Sequence, residues 1–291
     1  MYFALSGSSA RKLKRGGANL LAGRAFIYKL FPFVFSELKQ DFVLQDALRW
    51  GTLPGITKFN SDSDKSCFLK SYIETYLKEE IIAEQLVRNL SPFSRFLNIA
   101  GQSNASIVNF TKIAVDINTS PTNVINYYSI LEDTLITYKL ETFHQSIRKR
   151  QRVAPKIYFF DCGVVRALNG RVDVPLKAQT YEYGKLFETF IINQIRAYLT
   201  YQKKQFRLSY LQTKDNAEIN LIIERPNEKA FLLEIKSGGE VRDSELNNLR
   251  RFSKDIKNSH PICLYDGVKK LRIDDIDVLP WQDVLVEIGI H

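Results

Sequence analysis

Ala217-Glu218-Ile219-Asn220-Leu221-Ile222-Ile223-Glu224, the turn-forming Arg225-Pro226-Asn227-Glu228, and Lys229-Ala230-Phe231-Leu232-Leu233-Glu234-Ile235-Lys236 read as one β-hairpin. Apolar runs rich in Ile and Leu, with polar residues at every second position of their outer ends, predict strands over 217–224 and 229–235. With the turn centred on Asn227, Asn220 stands opposite Glu234 and Glu218 opposite Lys236. Glu218, Asn220 and Ile222 then share one face, and Glu234 and Lys236 the matching face of the next strand. Ile219, Leu221, Ile223, Leu233 and Ile235 form the other face, an apolar surface for the amphipathic helix expected over 184–199. A strand over 206–212, a helix over 244–256 and a strand over 261–265 complete an α/β domain, placed at 178–291.

The polar face of the hairpin has a chemical reading. Metal-assisted hydrolysis of a phosphodiester needs carboxylates to hold Mg²⁺ and a lysine to position the attacking water. Glu234 and Lys236 suit these roles, with Glu234 the candidate metal ligand, and Glu188 on the preceding helix supplies a further carboxylate. Asn220 stands where a second acid is wanted, and an amide oxygen brings no charge. The competing reading is a salt-bridged hairpin surface of the Glu218–Lys236 kind, which is structural.

Residues 91–177 predict a winged helix-turn-helix. Helices are expected over 92–99 and 107–116, with a turn at Asn118-Thr119. A third helix starts at Ser120-Pro121, serine as N-cap and proline at the first helical position, where its missing N–H costs nothing. Val124, Tyr128, Leu131 and Leu135 form its inner stripe, which leaves Thr122, Asn123, Asn126 and Ser129 outside. Strands over 136–143 and 153–160 follow. The wing between them contributes Arg148, Lys149, Arg150, Arg152 and Lys156, with no acid between Glu141 and Asp161. Asparagine suits adenine in a major groove, so Asn123 and Asn126 are candidate base readers and Arg148, Lys149, Arg150 and Arg152 candidate phosphate contacts. The alternative is a winged helix that only packs or docks a partner.

Residues 1–90 begin with a lone strand-like segment, Tyr2-Phe3-Ala4-Leu5, then Ser6-Gly7-Ser8-Ser9 and a short helix over 10–14. A single strand cannot satisfy its own backbone groups, so either its sheet is missing or the segment is not a strand. Leu69, Ile73, Tyr76, Leu77 and Ile81 recur at helical spacing over 64–90.

The chain has 291 residues, 45% hydrophobic and 25% charged, with a net charge of +9. All of that excess lies in 1–177, the tail being neutral, so a polyanion is expected to meet the first three-fifths. Cys67, Cys162 and Cys263 form no disulfide framework and no zinc spacing with His144, His260 or His291. With no membrane-length apolar run, the expected compartment is the cytoplasm, with no membrane contact.

Several motifs together resemble one family. Leu5-Ser6-Gly7-Ser8-Ser9, Leu21-Ala22-Gly23-Arg24, Leu30-Phe31-Pro32-Phe33, Ser36-Glu37-Leu38, Gly51-Thr52-Leu53-Pro54 and Tyr72…Thr75-Tyr76-Leu77 are similar to the stretch after the sensor-1 strand in a family of prokaryotic AAA+ ATPases. Pro155-Lys156-Ile157-Tyr158-Phe159-Phe160-Asp161-Cys162-Gly163 and Gly184-Lys185-Leu186-Phe187-Glu188 continue the likeness. The family joins its ATPase core to a winged helix and a tail similar to PD-(D/E)xK nucleases, matched by Glu218-Ile219-Asn220 and Glu234-Ile235-Lys236 with asparagine at the usual aspartate position. The resemblance implies an α/β multi-domain chain: a partial AAA+ segment at 1–90, a winged helix-turn-helix at 91–177 and a restriction-endonuclease-like domain at 178–291. It places Ser6 at the sensor-1 position and makes Arg11 or Arg24 a phosphate-sensing or finger arginine; a turn serine and two solvated arginines are the competing reading.

No G-x-x-x-x-G-K-[ST] occurs, and Gly184-Lys185 is followed by Leu186. The expectation is a truncated or split family member that binds nucleic acid or a protein partner through its winged helix and hydrolyses no ATP by itself. No cofactor is expected for the chain alone. ATP and Mg²⁺ belong to the full-length family, Mg²⁺ to the nuclease-like site if active, and an upstream P-loop subunit is a candidate partner. The alternatives are a metal-dependent nuclease using Glu188, Glu234 and Lys236, and a structural interaction module.

Overall fold

The computed structural model describes residues 26–77, 90–144 and 154–289. The strand expected at 2–5, the helix at 10–14, Ser6, Arg11, Arg24, and the wing residues Arg148, Lys149, Arg150 and Arg152 lie outside the described residues. The elements run α1 (Phe35–Leu38), α2 (Leu44–Trp50), α3 (Asp62–Ser71), α4 (Leu90–Gln102), β1 (Ser106–Ile107), α5 (Phe110–Asp116), α6 (Pro121–Asp133), β2 (Thr137–Thr142) and β3 (Lys156–Phe159). They continue α7 (Cys162–Leu168), α8 (Tyr181–Tyr201), β4 (Arg207–Gln212), β5 (Glu218–Glu224), β6 (Ala230–Lys236), α9 (Asn247–Asp255), β7 (Ser259–Tyr265), β8 (Leu271–Ile273), β9 (Ile276–Pro280) and α10 (Val284–Glu287). The chain is mixed α/β with a large mixed sheet. Among the described residues no helix is long and apolar enough to cross a membrane.

The described residues fall into two compact units, one from 26–33, 50–77, 90–139 and 157–174, the other from 34–49, 140–144, 154–156 and 175–289. In the first, α4, α5 and α6 enclose an aromatic core. Phe93 and Phe96 meet Tyr127, with ring centroids 5.2 and 5.3 Å away, and Phe96 meets Tyr128 edge-on at 4.8 Å. Burying each such side chain contributes about 1.5–3 kcal/mol. The caps are those the sequence dictates. Asn109 Oδ1 accepts from the Lys112 N–H at 2.9 Å, and Ser120 Oγ accepts from the Asn123 N–H at 3.2 Å. Between the helices Asn118 takes φ 56°, a left-handed turn that asparagine tolerates.

Two details differ from the periodicity. The expected helix over 107–116 begins only at Phe110, because Ser106–Ile107 is a short strand beside β3. Leu135 leaves the inner stripe: α6 ends at Asp133, and Leu135 sits beyond it with φ 63° and is partly exposed. Strand order in this unit is β1-β3-β2, and Tyr138 stacks on Tyr158 at 5.5 Å. A second core gathers Trp50, Ile56, Leu69 and Val172. Beside it Asp161 caps α7 through Val164 N–H at 3.0 Å and also accepts from Thr52 N–H at 2.8 Å.

The second unit holds a mixed sheet. The end of β2 lies parallel to β4, the β4-β5-β6 meander is antiparallel, and β6-β7-β9 are parallel, with β8 antiparallel to β9. The hairpin register matches the expectation from Asn227: Leu221 opposes Leu233, Ile222 opposes Leu232 and Ile223 opposes Phe231. Asn227 itself is left-handed at φ 61°. Ile222 and Leu232 bury against Leu246, Leu249 and Phe252 around α9. Ile219 joins this same cluster instead of the opposite apolar face. The cause is a bulge: Ser209 opposes Ile222 but Leu211 opposes Ile219, so Asn220 and Leu221 both stand against Tyr210. Residues 34–49 pack into this unit. Phe42 stacks on Phe190 at 5.8 Å, Trp281 meets Phe35, Phe42 and Phe190, and the Phe35 N–H donates to Gln194 Oε1 at 2.9 Å.

Candidate functional site

The bulge sits at the centre of a polar cluster in the second unit. α8 delivers Glu188 to it, β5 delivers Glu218 and Asn220, and β6 delivers Glu234 and Lys236. The structure thus brings together all four sequence-derived candidates, Glu188, Asn220, Glu234 and Lys236, and adds three side chains that the hairpin alone does not announce: Lys156, Gln212 and Tyr210. Lys156, read from sequence as a charge of the basic wing, is only 1% exposed. It begins β3 with Ile157, Tyr158 and Phe159, all buried, so the strand carries its ammonium inward. A lysine between Pro155 and an apolar strand is the signal that could have pointed to a buried partner, because an unpaired ammonium in such a place is costly.

Lys156 Nζ lies 3.2 Å from Glu188 Oε1 and forms a short ion pair with Glu218 Oε1. It also stands 5.6 Å over the Tyr210 ring. Burial pulls the ammonium's pKa down, but the charges of Glu188 and Glu218 and their hydrogen bonds outweigh it and hold the pKa above the usual lysine value. Glu218 Oε2 accepts from Gln212 Nε2 at 3.1 Å, and Lys185 Nζ stands 3.8 Å from Glu188 Oε2.

Lys236 does not pair with Glu218, as the ideal register had it. It pairs along its own strand with Glu234 Oε1 at 2.9 Å. The bulge again gives the reason, since regular β5–β6 pairing stops short of Asn220. There the amide oxygen of Asn220 accepts the Ile235 N–H at 2.9 Å, replacing a main-chain carbonyl. Its Nδ2 faces Glu218 Oε1 at 3.4 Å. Glu234 is 6% exposed, and its Oε2 is buried without a hydrogen-bond partner. Burial raises its pKa to about 7; Lys236 opposes the rise and the nearby Glu218 and Glu188 charges add to it.

These residues do not fit a divalent cation as they stand. Mg²⁺ wants oxygen ligands at about 2.0–2.1 Å on all sides. Here Glu188 and Glu218 already hold an ammonium, and the Asn220 oxygen is taken by a main-chain N–H. Among the described residues, three metal-type ligand atoms approach within 4.8 Å at His260, Asp277 and Glu287. There, too, the carboxylate is served: Asp277 Oδ2 lies 2.6 Å from His260 Nε2, and Arg272 lies 3.4 Å from its Oδ1.

The helix-turn-helix candidates lie in the first unit. Thr122, Asn123 and Asn126 are exposed on the outer face of α6, while Val124, Tyr127, Tyr128, Ile130 and Leu131 are buried. Ser129, also expected outside, is half-buried and donates its hydroxyl to Ile125 O at 3.0 Å. Asn123 Nδ2 donates to Thr119 Oγ1 at 2.9 Å, which fixes the orientation of its amide.

Residues 42–174 match a domain of unknown function, DUF8612, and residues 183–284 match another, DUF4143, which occurs in AAA-ATPase-associated contexts. An uncharacterized protein of Mycobacterium bovis and one of Mycobacterium tuberculosis are each 23% identical to the chain over 287 residues, covering 99% of it and 63% of their own length. An uncharacterized protein of Methanocaldococcus jannaschii is 21% identical over 309 residues, covering 95% of the chain and 67% of that protein. No solved structure matches. The chain therefore spans less than two thirds of the mycobacterial relatives it matches.

Proposed function

We propose that this chain is a binding module of an AAA+-type ATPase family, without ATP hydrolysis of its own. It engages nucleic acid through a winged helix at α4–α6 and β1–β3. The observation that carries the reading is the outer face of α6, where Thr122, Asn123 and Asn126 stand free of the core on a helix anchored by five buried residues. The element order α4-β1-α5-α6-β2-β3 with strand order β1-β3-β2 supports the winged-helix assignment. α5 and α6 contribute little positive charge, with Lys112 against Asp116, Glu132 and Asp133, so phosphate contacts fall to the sequence at 148–152.

Fluorescence anisotropy of a labelled duplex, titrated at several salt concentrations, tests this. Binding should weaken steeply with salt, and replacing Arg148, Lys149 and Arg150 by Gln should reduce the logarithmic slope by about 2–3, near 0.9 per lost phosphate contact. Binding with no salt dependence, or none at low salt, would move the α6 face to a protein partner. A second reading, a metal-dependent nuclease using Glu188, Glu234 and Lys236, draws on the convergence of these groups at the β5 bulge. Lys156 and the engaged Asn220 oxygen weigh against it.

A further inference from the structure

We infer that Lys156 is a resident counter-ion, its ammonium standing between Glu188 and Glu218 where a nuclease-like site would hold a divalent cation. The inference rests on reading the α8-β5-β6 centre as nuclease-like, but not on the winged helix. Lys156 arrives from β3, outside the hairpin and the helix that carry the acids, and meets one carboxylate from each. A cation already bonded to the chain carries no loss of translational freedom and cannot be chelated away. It holds the two acids together without an added ion. The Oε2 of Glu234, buried beside this pair of acids, has no hydrogen-bond partner. With the ammonium removed, Glu188, Glu218 and Glu234 would offer three carboxylates to an added cation, and hard divalent ions are the class they suit.

The test is a Mn²⁺ titration of the full chain, followed by the electron paramagnetic resonance of free Mn²⁺. Wild type should show no site above surface background. Lys156→Met, which keeps the side chain's bulk and removes its charge, should gain at least about tenfold in affinity, equivalent to 1.4 kcal/mol. The gain should vanish in the double variant Lys156→Met/Glu188→Gln. A Lys156→Met chain that folds only when Mn²⁺ is present supports the inference equally. Folded Lys156→Met with no gain overturns it. So does Mn²⁺ binding by wild type that Glu188→Gln abolishes, an outcome decisive even if Lys156→Met never folds. If wild type binds Mn²⁺ and also cuts DNA, the binding-module reading fails as well; a folded Lys156→Met without gain leaves that reading standing.

Discussion

Lys156 Nζ stands 3.2 Å from Glu188 Oε1, with the two side chains 2% and 8% exposed, so each is the other's substitute for water. Removing one partner strands a buried charge, a loss of about 3–5 kcal/mol for such pairs. Lys156→Met without added metal should therefore lower the urea midpoint sharply at unchanged slope. A midpoint equal to wild type would mean that the pair contributes nothing.

Glu234 makes stability depend on pH. Its folded pKa of about 7 exceeds the ordinary 4.5, so the folded chain binds the proton more tightly than the unfolded chain. Its favourable contribution is complete below about 4.5 and is lost as pH rises through about 7. Asp161, pushed up to about 6 by burial against the opposing pull of the Thr52, Val164 and Gly163 N–H groups, adds a similar slope at lower pH. From pH 6 to 8 Glu234 contributes the larger part of the slope. Unfolding free energies there should fall with pH in wild type and stay flatter in Glu234→Gln; parallel curves would remove Glu234 from the account.

Asn220→Asp supplies the acid that a metal site lacks, yet it should not restore one. The aspartate would keep the acceptor for Ile235 N–H but lose the amide that faces Glu218 and add a third charge beside Lys156. A loss of about 1–3 kcal/mol is expected for the unsatisfied group, read as a lower melting temperature. An unchanged melting temperature with new Mg²⁺-dependent DNA cutting would show that Asn220 alone disabled the centre.

In the first unit, Gly51 and Gly163 are held by close approach. Gly51 is left-handed at φ 77°, and an added Cβ would meet the Asp161 carboxylate; at Gly163 it would meet the Trp50 carbonyl. Gly163→Ala should be strongly destabilising. Gly184→Ala, in α8 with only Ser237 Oγ at 3.5 Å, should be neutral or stabilising by up to about 1 kcal/mol. Equal melting temperatures for the two variants would contradict this packing.

What was legible in the sequence was local. Asn227 set a register that Leu221 and Leu233 obey, and Ser120-Pro121 started α6 where it begins. The bulge at Asn220 was not legible, because it depends on how β4 meets β5, and it redirected Ile219, Glu218 and Lys236 together. Lys156 looked like one more wing charge, since its partners lie 32 and 62 residues onward. The packing of Phe35 and Phe42 against Phe190 and Trp281 was equally hidden, because nothing in residues 34–49 names the helix they cover. β8 was missed because a run of three residues is too short for periodicity to speak, and β9 because Pro280 closes its run.

The central claim is binding without cutting. One gel tests it most directly: wild-type chain incubated with supercoiled plasmid at low salt, with Mg²⁺ or Mn²⁺ added, and half of each sample deproteinised before loading. The account predicts retarded plasmid in the untreated half and intact supercoiled plasmid in the deproteinised half. Nicked or linear plasmid that disappears with Glu234→Ala or Lys236→Ala would contradict it.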